Sequence, residues 1–160
     1  MNKDLIQDII DTIKATPEHF DMSSFIHADR STSDLDAVNR LKIGQCGTTA
    51  CIAGWAVTIA GIPIVSKDDT PFSFDEVAAD LMGLDYQTQG RPLFFAMGKE
   101  DTEVPHSPDT LHRRVVERNA RGTWTMPDIT PQEAVRVLEI LRDEGVVDWD
   151  RVITEINVGE

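Results

Sequence analysis

The residue types best suited to chemistry crowd into one stretch, Gly44-Gln45-Cys46-Gly47-Thr48-Thr49-Ala50-Cys51-Ile52-Ala53-Gly54-Trp55-Ala56. It holds both cysteines of the chain and opens an uncharged run that continues to Ala60. The first N–H groups of a helix lack partners and carry positive potential. A thiol held there has a lowered pKa and a larger thiolate fraction, as a nucleophilic or redox cysteine requires. Cys46 stands at that place if the helix begins at Thr48, and Cys51 then lies inside the helix as a small core residue. Thr48 or Thr49 fits equally well as the helix cap, which leaves Cys46 as a turn residue.

A thiol hydrolase built on Cys46 also needs an imidazole base and a group that holds the base in its productive tautomer. His112 and Asp128 are available downstream for those roles. A zinc set of Cys46, Cys51, His106 and His112 has suitable ligand types, but structural zinc usually takes close C-x-x-C pairs. No metal is therefore expected. The stretch 44–49 resembles a phosphate loop without the lysine that reaches the phosphates, so no nucleotide cofactor is expected. The acidic pairs Asp68-Asp69 and Glu100-Asp101 read as solvated loop charge. Arg113, Arg114, Arg118 and Arg121 form a local cationic cluster, and Trp124 follows among threonines. The arginines suit either a local anion or partner site or one solvated face with acidic neighbours, and Trp124 suits an exposed contact.

The elements that must position these residues read mostly as helices. Leu5, Ile6, Ile9, Ile10 and Ile13 recur at three and four residues and predict an amphipathic helix that Pro17 ends. Phe20, Met22, Phe25 and Ile26 suit a turn or short helix, and Asp34 fits as the cap of a short helix through Leu41. The uncharged run predicts a central helix over 48–60 that is buried on every side, with Gly61 just past its end and Pro63 preventing continuation. Ser73 and Glu76 form a capping box for a helix that Gly83 closes. Leu84 to Gln89 reads as a turn, followed by a short helix interrupted near Pro92. Thr130, Pro131 and Glu133 make the best helix start in the chain, with Gly145 as its stop. Trp149, Val152, Ile153 and Ile156 predict a last helix.

The fold class that follows is mostly α, a compact single domain over 1–160 around the central helix, with at most a minor β element. The stretch 99–127 reads as a loop-rich insertion. The chain has 160 residues, 41% of them hydrophobic, with 15 basic against 28 acidic side chains and a formal net charge of −13. That balance disfavours direct nucleic-acid binding, which normally uses excess Lys and Arg. It leaves open an acidic decoy that occupies a basic groove in place of a phosphate chain. No apolar run reaches the roughly 18 residues of a membrane span. Asp4, Asp8 and Asp11 interrupt the first residues, so no export signal is read there. Free thiols in a reducing cytoplasm are the expectation.

The block from Cys46 to Ala56, the stretch from Ala79 to Leu84 with its Leu-x-Gly-Leu turn, and the pair Leu93-Phe94 resemble a group of small bacterial and phage proteins. Their shared pattern is Cys-Gly-Thr-x-x-Cys-x-Ala-Gly-Trp-Ala, carried here by Cys46, Gly47, Thr48, Cys51, Gly54 and Trp55. The likeness spans residues 1–95 and departs over 99–127. It implies a helical fold and a bacterial or phage setting, and it assigns no catalytic residue. A second, looser likeness is to papain-like cysteine peptidases, in which a glutamine precedes a Cys-Gly pair at a buried helix. It implies Cys46 as nucleophile and His112 as base. The leading expectation is a non-enzymatic acidic protein that binds another protein, as a host-directed regulator or inhibitor in a phage setting.

Overall fold

The computed structural model describes residues 1–22, 26–28, 48–62, 74–96 and 129–157. Their architecture is mostly α, as the periodicity implies, with one small antiparallel ladder. Helix α1 spans Lys3–Ala15, and the Asn2 side chain caps it by accepting from the Leu5 N–H at 3.2 Å. Leu5, Ile6, Ile9, Ile10 and Ile13 are all buried and form a single apolar stripe. Each fully buried aliphatic side chain of this kind contributes about 1.5–3 kcal/mol. Pro17 starts a single 3₁₀ turn, Pro17–His19, which brings Phe20 and Met22 into the core.

The expectation of a turn or short helix through Ile26 is corrected at its end, where Ile26–Ala28 form a strand, β1. It pairs antiparallel with β2, Thr48–Ala50, with Ile26 opposite Ala50 and Ala28 opposite Thr48. This corrects the predicted start of the central helix. Helix α2 spans Ile52–Ile59, so Thr48 and Thr49 are strand residues rather than helix caps. Two β-branched threonines favour the extended backbone, and a partner strand is at hand to use their ladder groups. Gly61, at φ +69°, closes α2: its N–H donates to the Thr58 carbonyl, and the Ile62 N–H donates to that of Val57. That pair of bonds is a Schellman motif.

Helix α3 spans Phe74–Met82, and its expected cap, Ser73, lies outside the described residues. Gly83 and Leu84 close it with the same Schellman pair, onto the Asp80 and Ala79 carbonyls. The start of the chain completes that end, because the Asn2 N–H donates to the Met82 carbonyl at 2.7 Å and the Asn2 amide to that of Leu81. A π-helical turn, Tyr86–Gly90, then runs directly into the short helix α4, Arg91–Phe94. Pro92 sits in the first turn of α4, where no N–H is needed, so it starts this helix instead of interrupting it. Any Cβ at Gly90 would meet the Ala79 Cβ at 2.9 Å, which is how closely the turn lies on α3.

Helix α5, Pro131–Glu144, carries the full capping box: Thr130 accepts from the Glu133 N–H while the Glu133 carboxylate accepts from the Thr130 N–H. Gly145, at φ +78°, ends it. Helix α6, Trp149–Asn157, docks through buried Trp149 and Val152. Helix α1 packs on α2, α3 and α5, while α6 rests on α5. A chain of alternating charges runs over the outside from Lys14 to Glu139, Arg136, Glu155, Arg151 and Glu144, with separations of 2.7–3.6 Å. Exposed pairs of this kind contribute little individually, so burial of Trp149 is the stronger hold on α6.

Two measurements follow. The indole Nε1 of Trp149 donates to the buried Pro92 carbonyl at 2.9 Å, whereas the buried Nε1 of Trp55 has no partner among the described residues. Replacing either by Phe removes a similar volume, but Trp149→Phe also strands an acceptor. Chemical denaturation is therefore expected to show Trp149→Phe costing about 1–3 kcal/mol more than Trp55→Phe, and equal losses would contradict the geometry. Hydrogen bonds from Arg136 and Arg151 hold the Glu155 carboxyl down to about 2, against an ordinary 4.5. A depressed carboxyl supports the folded form above about pH 4.5 and loses that support as pH falls toward 2. An NMR titration should find Glu155 near 2 in the parent and higher in Arg136→Ala; an ordinary midpoint in the parent would show the pairing to be absent.

Candidate functional site

The thiol at the N-terminus of the buried helix is Cys51, not Cys46. Cys51 is the N-cap of α2, with φ −78° and ψ 179°, and its Sγ accepts from the Gly54 N–H at 3.5 Å. Its carbonyl accepts the first intrahelical bond, from the Trp55 N–H at 2.9 Å. The side chain is 3% exposed, so the expectation of a core residue is right about burial and wrong about its place inside the helix. Cys46 and Gly47 lie outside the described residues, and the helix start that motivated a reactive Cys46 lies beyond the intervening strand.

Two effects compete at Cys51. Backbone N–H groups of Gly54 and Ala53 favour the thiolate, as they do at reactive cysteines. Burial opposes them and is the larger effect, pushing the thiol up to about 11 from an ordinary 9.0. Near neutral pH it is therefore a protonated cap. The same desolvation works against metal ligation, which also needs the thiolate. Among the described residues, no cluster of three or more His, Cys, Asp or Glu side chains could hold a metal ion.

The rest of the block supports the helix. Gly54 and Trp55 are buried, Trp55 at 3% exposure, and the Gly54 carbonyl accepts from the Thr58 hydroxyl at 2.8 Å. Among the described residues, neither the buried Thr49 Oγ1 nor the buried Trp55 Nε1 has a hydrogen-bond partner. His19 is half-buried with its Nε2 3.8 Å from a Glu18 carboxylate oxygen, and His27 falls on β1. The remaining candidates, His106, His112, Asp128, Arg113, Arg114, Arg118, Arg121 and Trp124, lie outside the described residues, as do Asp68, Asp69, Glu100 and Asp101.

Two arrangements escaped the linear reading. Tyr86 donates a hydrogen bond to the Asp75 carboxylate, and that bond, with lesser burial, raises the phenol to about 12. The bond joins the π turn to the first turn of α3, a spacing that no helical periodicity reveals. The second is a groove of about 390 Å³ between the last turn of α1 and the first turn of α5, lined by Ile13, Lys14, Pro17, Pro131 and Val135. Pro17 and Pro131 read separately as a helix stop and a helix start; their meeting needs the tertiary fold. No protein-family model, curated protein or solved structure matches the chain. Among the described residues, no helix is long and apolar enough to cross a membrane.

The Cys51 geometry makes a direct prediction. With the folded thiol near 11, about one molecule in a thousand is ionised there at pH 8, and burial shields even that fraction. Iodoacetamide should leave Cys51 unmodified in the native protein up to pH 9 and label it on denaturation. Stability should fall as pH rises from about 9 toward 11, because the unfolded thiol ionises first. Cys51→Ser keeps a cap acceptor and should hold the denaturation midpoint, whereas Cys51→Val should cost about 1 kcal/mol. Rapid native labelling of Cys51 at pH 8 would contradict the assignment.

Proposed function

We propose that this protein is a non-enzymatic binding protein whose partner is another protein, acting in a bacterial or phage cytoplasm as a regulator or inhibitor. One observation carries the reading: the described part of the chemistry-bearing block is given over to structure. Cys51 is a protonated cap, Gly54 donates its N–H to that cap, and Trp55 is core. A thiol reaction at this helix would need a thiolate, and burial works against it at the residue that occupies the helix start. The contact residues proposed are Trp124 with Arg113, Arg114, Arg118 and Arg121, since tryptophan and arginine are enriched among the residues that carry binding energy at protein interfaces. The acidic balance of the whole chain supports a protein partner over nucleic acid.

The test pairs reactivity with binding. Alkylation of Cys46 across pH 5–9, read by mass spectrometry, should be slow or follow an ordinary thiol titration and should not change in His112→Ala. Capture of a partner from host lysate by the tagged protein should survive Cys46→Ser and weaken tenfold or more with Trp124→Ala, a loss of about 1.4 kcal/mol. Fast alkylation at low pH that depends on His112 would replace this reading with a thiol hydrolase using Cys46, His112 and Asp128.

A further inference from the structure

We draw no further inference here: the strongest candidate, the apolar groove between the last turn of α1 and the first turn of α5, is an unpartnered face, and nothing in the structure shows what covers it.

Discussion

A buried helix must close both of its ends without water. Helix α2 has only eight residues, and Ile52 through Val57 are all buried. Each end of any helix leaves backbone groups that the helix cannot satisfy, and an unmade bond in a dry interior costs about 1–3 kcal/mol. At the N-terminal end Cys51 meets the need with its sulfur, which accepts from Gly54. At the C-terminal end Gly61 takes a left-handed backbone, so that the Val57 and Thr58 carbonyls are both used. Such a helix contributes little through its own propensity, because short helices are marginal in water. Its stability comes from what surrounds it.

The surrounding helices follow from that need. Helix α1 offers one continuous apolar stripe and touches α2, α3 and α5, so it links the buried helix to the C-terminal half of the described fold. Small residues at Ala53, Gly54 and Ala56 allow α1 and α3 to lie close to α2. The N-terminal residues also serve α3 directly, since Asn2 uses both its backbone N–H and its side-chain amide on the last carbonyls of that helix. The same enclosure decides the chemistry at Cys51. A helix N-terminus favours a thiolate, but the dry surroundings penalise charge more strongly, and the proton stays on sulfur.

Several helix ends among the described residues were legible because a backbone requirement selects the residue type there. Gly61, Gly83 and Gly145 all adopt positive φ at the stops expected of them, and Thr130, Pro131 and Glu133 form the box their order implies. The amphipathic stripes of α1 and α6 were equally readable, because a periodic pattern fixes which face is buried. The start of α2 was not. An uncharged run has no clear helical phase, and the β-branched preference of Thr48 and Thr49 is too weak a local signal to mark strand 48–50 off from the helix after it. The deciding contact is with residues 26–28, between 20 and 24 positions away. Pro92 was misread for a related reason, since a proline breaks a helix from inside and starts one from its first turn, and only the boundary distinguishes them. At the candidate site, the burial of Cys51 and Trp55 could be read from their neighbours. The cap role could not, because cysteine is outside the usual set of capping residues.

The central claim is that α2 is the most enclosed helix among the described residues and opens only when the surrounding core opens. Native-state hydrogen exchange, followed residue by residue at low denaturant, tests it most directly. The account predicts that the amides of Trp55, Ala56 and Val57 exchange only through global unfolding, with the same free energy and denaturant slope as those of Ile9 and Ile10 in α1. Exchange of the α2 amides through a smaller, denaturant-independent opening, at rates like those near Thr154 in the exposed part of α6, would contradict it.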